Sequence, residues 1–309
     1  MNISSYVPRV GLVIPTLNAG ARWTECLSAI STQSLRPHRI LIIDSASDDQ
    51  TADLARSAGL EVVGIERSQF NHGGTRQWAA EHLADCEIIV FLTQDAIPAN
   101  RTAFAEIVDS FMDSEVVVAY GRQLPHTGAT LIEAHSRKFN YREESEKKNA
   151  HVAERIGTKA FFCSNSFSAY RRSALIDLGG FRRNLILGED MEFAARAIKA
   201  GYANLYCAAA TVYHSHDYTF MQTLRRYFDI GTFDAENNWM QEQFGSHSAE
   251  GWKFVASELH YLMDYNAAEI PRAISLTLAK WVGYRLGRIH RTLPINIKRK
   301  LSMSPGYWR

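Results

Sequence analysis

The chain has 309 residues, with 34 Lys and Arg against 33 Asp and Glu and a formal net charge of +1. That length suits one large domain, or a domain with a helical extension, and the charge balance argues against a general nucleic-acid binder. The charge is unevenly placed, however. No acidic residue follows Glu269, while Arg272, Lys280, Arg285, Arg288, Arg291, Lys298, Arg299, Lys300 and Arg309 do. Cys26, Cys86, Cys163 and Cys207 are scattered without zinc-ligand spacing and read as reduced structural thiols. Residues 1–9 lack the basic and then apolar pattern of a signal peptide, and no apolar run reaches the length of a membrane span. The expectation is a cytoplasmic protein, free or peripheral on the inner face of the cell membrane.

In chain order, residues 10–14 read as a strand stopping at Pro15, and 22–35 as a helix with Trp23, Leu27 and Ile30 in register. Residues 39–43 form a second strand ending at Asp44, 50–58 a helix closed by Gly59, 60–65 a third strand and 75–83 a helix. The run 87–92 is continuously apolar and β-branched, as a strand covered on both faces should be, and it leads to Asp95. Such alternation implies a parallel sheet with right-handed crossovers. The charged stretch 136–153 reads as a solvated helix or loop, 160–170 as a strand, 172–178 as a helix ended by Gly179-Gly180, and 190–200 as a helix ended by Gly201. From Phe220 onward the pattern is mostly helical. The division is an α/β domain over 1–217 and a helical region over 218–309 that associates with a membrane or a partner.

Five groups carry candidate chemistry. Pro15-Thr16-Leu17-Asn18 and Asp44-Ser45-Ala46-Ser47-Asp48-Asp49-Gln50-Thr51 follow the first two strands. Ser47, Asp48 or Asp49 suits a helix cap. Asp44 lies too early for that and is placed to accept the imide N–H of a uracil or thymine ring. No GxGxxG follows the first strand, which argues against a Rossmann dinucleotide site. In Arg67-Ser68-Gln69-Phe70-Asn71-His72-Gly73-Gly74-Thr75-Arg76 the glycine pair opens a helix and can offer backbone N–H groups to an anion, with Arg67 and Arg76 supplying charge for a diphosphate. A tight turn with a surface histidine is the alternative. Glu189-Asp190 at a helix N-terminus suits the helix dipole. His214 and His216 alternate along a strand-like segment, so both rings can face one metal or phosphate. Asp95 is either a cap or a ligand at a strand end, where open α/β sheets bind their ligands.

In order and spacing, these groups resemble the family 2 glycosyltransferases of GT-A fold, over roughly residues 10–216. The resemblance implies a mostly parallel central sheet flanked by helices. It implies a nucleotide-sugar donor contacted by Pro15, Thr16, Asn18, Asp44 and Ser45. The family's Asp-x-Asp metal motif stands here as Thr93-Gln94-Asp95, so only its last acid remains to hold Mg²⁺ or Mn²⁺. Asp190 takes the role of catalytic base beside Glu189, and His214 or His216 that of a further metal ligand. Phe70-Asn71-His72-Gly73-Gly74-Thr75-Arg76 together with Thr93-Gln94-Asp95-Ala96 is similar to bacterial rhamnosyltransferases that use dTDP-L-rhamnose. That closer likeness implies inverting transfer to a glycan on a polyprenyl-diphosphate carrier, in O-antigen or related surface polysaccharide synthesis, with Phe70 to Gly74, Arg76 and Gln94 on the substrate. A UDP-sugar donor and a non-catalytic nucleotide- or glycan-binding relative are the alternatives. A nucleotidyltransferase would need a basic loop near the N-terminus, which residues 15–20 lack. Finally, Trp281, Tyr284, Tyr307 and Trp308, interleaved with Arg and Lys, suit the headgroups of an anionic membrane, or else pack a helical hairpin on the core.

Overall fold

The computed structural model describes residues 8–245 and 250–308, so most of the segment tested for a signal peptide, and Arg309, lie outside the described residues. The apolar runs of the first ninety residues become the parallel half of a sheet. β1 (Val10–Thr16), β2 (Arg39–Asp44), β3 (Glu61–Gly64) and β4 (Ile88–Leu92) pair in the order β3-β2-β1-β4. Helices α1 (Trp23–Ser31), α2 (Thr51–Ser57) and α3 (His72–His82) make the crossovers. β1 does not stop at Pro15 but continues through it to Thr16, opposite Asp44 of β2. α3 begins three residues earlier than its apolar pattern, because the Asn71 side chain accepts the Gly74 N–H at 2.7 Å and caps it.

Beyond β4 the sheet turns partly antiparallel. The chain adds β5 (Ile97–Pro98), α4 (Ala103–Asp109), β6 (Val116–Leu124), α5 (Leu131–Asn140), β7 (Glu146–Lys148), α6 (Ala150–Ile156), β8 (Phe167–Arg171), α7 (Arg172–Asp177), α8 (Glu189–Lys199) and β9 (Ala203–Tyr213). β8 enters between β4 and β6 antiparallel to both, β6 and β9 run parallel, and β5 and β7 pair with β9. Two expectations change here. The charged stretch 136–153 is not one solvated element: it contains the end of α5, β7 and most of α6, and the Lys148 ammonium is buried against the Tyr120 hydroxyl at 2.8 Å. The strand expected over 160–170 starts only at Phe167, because the polar run Ser164-Asn165-Ser166 leaves the ladder.

The remainder is helical: α9 (Phe220–Glu236), α10 (Trp239–Phe244), α11 (Glu250–Tyr265), α12 (Ile270–Arg288) and α13 (Ile295–Leu301). α9 and α12 touch backbone to backbone. A methyl group on Gly283 would lie 2.2 Å from the Leu224 carbonyl oxygen, and one on Gly287 2.1 Å from that of Phe228. Three of the four aromatics expected at a membrane pack inward instead. The Tyr284 hydroxyl donates to Asp234 (2.9 Å), that of Tyr307 to Glu236 (2.8 Å), and Trp308 is buried beside Phe228 and His290. The two tyrosine hydroxyls thus find partners within the protein, and of the four only Trp281 is largely exposed.

Candidate active site

Strand ends gather the predicted residues along one rim of the sheet. Asp44 is buried where β2 ends, and its carboxylate accepts from the Thr16 hydroxyl (2.9 Å), the Ser47 hydroxyl (2.6 Å) and the Ser47 N–H (2.9 Å). A carboxylate has about four lone-pair positions, so one remains for a ligand. Asp44 therefore also closes its own turn, and Asp49, bonded to the Thr51 N–H at 3.0 Å, is the acid that prepares α2. The Asn18 N–H donates to Ser47 (2.9 Å) and its side-chain oxygen accepts from the Asp48 N–H (2.8 Å). Gln94 clamps Leu17 through both amide atoms, at 2.7 and 3.0 Å. Arg67 holds the Ala46 carbonyl (2.9 Å) and pairs with Asp48. Asn18, Gln94 and Arg67 thus shape the two loops by internal bonds. Asn18 (φ 48°) and Ala46 (φ 56°) are the non-glycine residues with positive φ among those described. Such backbone persists only where its surroundings over-determine it, and it clusters at ligand clamps.

A second cluster forms where β4 and β9 end. The Asp95 oxygens lie 3.5 Å from Nε2 of His214 and 3.5 Å from Nε2 of His216, and one donor atom from each residue fits within 4.8 Å of the others. The two histidines follow β9 rather than sitting in a strand, yet both rings still turn to one point. Burial pushes the His214 ring down to about 3, and the same cause lowers His216, so both imidazoles are neutral at physiological pH. A neutral imidazole has the lone pair that a metal requires. Nδ1 of His214 donates to the Gln123 amide oxygen at 2.9 Å, which leaves its Nε2 unprotonated toward Asp95. Tyr218 stacks on His216 at 5.2 Å, and His126 Nε2 lies 3.1 Å from the Asp95 carbonyl oxygen. One carboxylate and two imidazoles converging on a point fit a divalent cation. Replacing Gln123 with Leu frees the His214 tautomer, and the expected loss is about 10–100-fold in metal affinity, read by titration calorimetry with Mn²⁺. Next to this cluster opens a pocket of about 320 Å³ lined by Arg22, His126, Ser215, His216, Tyr218 and Gln222.

The third cluster is built under the N-terminus of α8. Glu189 is buried, and its Oε1 accepts from Arg76 Nη1 and from Asn165 Nδ2, both at 2.9 Å. The Asn165 N–H donates to Asp190 Oδ2 at 2.8 Å, while its side-chain oxygen accepts from Ser168 (2.6 Å) and Tyr170 (2.8 Å). Burial would raise Glu189, but the Arg76 guanidinium overrides it and holds the acid below its ordinary range. Burial and then the negative charge of Glu189 push Asp190 up to about 6. Two adjacent carboxylates are thereby driven apart, one firmly ionised and one able to exchange a proton near neutrality.

This geometry revises the reading of the Phe70–Arg76 segment. Arg76 is 4% exposed and engaged with Glu189, so it is not available to a diphosphate. Nor does the glycine pair cradle an anion. A methyl group on Gly73 would lie 2.0 Å from the Arg182 carbonyl oxygen, and the Gly74 N–H is taken by Asn71. Burial lowers the His72 ring to about 4, with Phe70 edge-on at 5.1 Å. The segment supports Glu189 and Asp190 from below. Asn165, Gln123, His126 and Tyr218 were missed in the sequence. Only Asn165 left a signal, in the polar interruption of an otherwise apolar run.

Comparison with known proteins agrees with this arrangement. The profile described as "Glycosyl transferase family 2" matches residues 12–179. The O-antigen chain rhamnosyltransferase WbaN of Salmonella anatum is 45% identical over 98% of this chain and 96% of its own length. RfbN of Salmonella typhimurium, of the same description, is 44% identical over 97% and 96%. Among solved structures, the mannosyltransferase PcManGT from Pyrobaculum calidifontis, in complex with GDP-Man and Mn²⁺, aligns with a TM-score of 0.60 at 20% identity, covering 92% of this chain and 86% of that one. The GT-A fold expected from the motifs is the one observed. With the strand-end acid, the acidic pair and the late histidines all gathered on that fold, the chain belongs to glycosyl transferase family 2.

Proposed function

We propose that this protein is an inverting rhamnosyltransferase, moving L-rhamnose from dTDP-L-rhamnose to a hydroxyl of a lipid-linked glycan in O-antigen synthesis on the cytoplasmic side of the membrane. The observation that carries the choice of sugar is the 45% identity, nearly end to end, with an O-antigen chain rhamnosyltransferase. The chemistry of the three clusters supports it. The remaining lone pair of Asp44 accepts the thymine imide N–H, with Pro15, Thr16 and Ser45 beside the base. Asp190 takes the proton of the acceptor hydroxyl as its oxygen bonds to the anomeric carbon and the bond from that carbon to the diphosphate breaks. Base assistance of this kind contributes about 10²–10⁴-fold. Glu189, ionised and paired with Arg76, shares Asn165 with Asp190, and its negative charge helps keep the Asp190 pKa near the working pH. Asp95, His214 and His216 would hold Mn²⁺ in preference to Mg²⁺, since two imidazole ligands suit a transition ion better than Mg²⁺. When bound, the ion neutralises charge on the departing nucleoside diphosphate.

Thermal shift with dTDP-rhamnose, UDP-glucose, UDP-N-acetylglucosamine and GDP-mannose, each with and without Mn²⁺, tests the donor. A ligand at 100 times its Kd adds about 2.7 kcal/mol of stability, so dTDP-rhamnose with Mn²⁺ should raise the midpoint most. A larger shift with a UDP-sugar would transfer the assignment to that donor.

A further inference from the structure

α12 is apolar on two opposite faces. Ala273, Leu276, Ala279, Gly283 and Gly287 are buried, the last two against α9. On the other side, Ile274, Leu278 and Trp281 follow each other at helical spacing, and Ile289 continues them past the helix end; all four are 52–62% exposed. Isolated exposed apolar residues are ordinary, whereas a row of large ones along one helix face marks a surface that something covers. The charge beside it is of one sign. Arg285 falls in the same row, Arg291 follows two residues after Ile289, and the charged groups of both have no partner among the described residues. No acidic residue occurs after Glu269 to compensate them.

The geometry points to this face as a docking surface for an anionic lipid bilayer. Apolar residues with a Trp reach the acyl boundary while Arg and Lys meet phosphate headgroups, as in helices that lie in the plane of the interface. Among the described residues no helix is long and apolar enough to cross a membrane, which fits a surface that rests on one. A second copy of the chain suits the face less well. A two-fold contact brings like patches together, and Arg285 and Arg291 would meet their own kind. α12 packs on α9, whose Gln222 lines the pocket beside His216, so docking through α12 holds the active site near the bilayer. This gives the proposed lipid-linked acceptor its route to the site, but the binding itself does not depend on which acceptor or sugar is used.

The test is sedimentation of the full-length protein with vesicles of phosphatidylcholine containing 30 mol% phosphatidylglycerol, against vesicles of phosphatidylcholine alone. Binding should favour the anionic vesicles and weaken as salt is raised. Each cation near such a surface contributes roughly a fivefold factor, so the double variant Arg285→Glu, Arg291→Glu should bind at least about tenfold more weakly. Leu278→Glu with Trp281→Glu should lose binding as well. The charge variants lie on exposed positions and keep the assay interpretable if the apolar pair misfolds. Unchanged binding in the charge variants, or equal binding to both vesicle types, overturns the proposal. A concentration-dependent dimer in analytical ultracentrifugation that Trp281→Glu dissociates would overturn it too, in favour of a copy-to-copy interface. dTDP-rhamnose binding by the same variants, read by thermal shift, should match wild type, which separates failure of this surface from failure of the donor assignment.

Discussion

Asp190→Asn is expected to lower transfer by about 10²–10⁴-fold while dTDP-rhamnose binding stays within about twofold by calorimetry. Asn offers the same oxygen to the Asn165 N–H that Asp190 now engages at 2.8 Å, so the turn is kept and only the base is lost. Proton dependence gives a second readout. A base whose pKa is raised to about 6 is protonated below that value, so kcat/KM of the wild type should climb through pH 6 and level off above it. Stability moves the opposite way. The folded Asp190 holds its proton more tightly than the unfolded side chain, whose ordinary value is 3.8, so its contribution to stability falls as pH rises from about 4 to about 6. At pH 7.5 the Asn variant, freed of a buried charge beside Glu189, should melt no lower than wild type. A variant that is inactive and also much less stable would point to structural damage instead of a lost base.

Asp95→Asn is expected to act on the donor rather than on the proton. Asn retains the shape but not the charge between His214 and His216, and loss of the ion removes several kcal/mol of charge stabilisation. Transfer should fall by roughly 10³-fold, and Mn²⁺ should no longer tighten dTDP-rhamnose binding. The Asp44 pocket, on separate loops, should still bind dTDP without the metal. His214→Gln should cost more than His216→Gln. His214 is buried and held by Gln123, whereas His216 is half-buried and supported by Tyr218 stacking. Metal-dependent donor binding that survives in Asp95→Asn would remove this cluster from the metal assignment.

In the parallel half of the sheet β1, β2 and β4 were legible because their central residues are buried on both faces and therefore read as apolar runs. Ile88 to Leu92 is the clearest case, with every residue buried. The antiparallel half was not. β5 and β7 have two and three residues, too short for any period, and β7 is Glu-Lys-Lys, whose charges conceal a strand. In the site, acids at strand ends stood out by contrast with the runs before them: Asp44 ends β2 and Asp95 follows β4, while His214 and His216, read as part of a strand, lie just past the end of β9. What the residues do for one another was hidden. An arginine such as Arg76 is the same letter whether it meets a diphosphate or a buried glutamate 113 positions away. Gln123 matters through a tautomer and Asn165 through bonds to both Glu189 and Asp190, which exist only once the fold has closed. Trp281, Tyr284, Tyr307 and Trp308 looked equivalent in sequence, and packing left only the first largely exposed.

The most direct test of the account is transfer of label from dTDP-[¹⁴C]rhamnose into the butanol-extractable lipid of membranes prepared from cells lacking this gene. The account predicts labelled glycolipid that requires Mn²⁺ and wild-type protein, is abolished by EDTA, and is absent with Asp190→Asn. Undiminished label with EDTA or with Asp190→Asn, or label arising from UDP-sugars and not from dTDP-rhamnose, would contradict it.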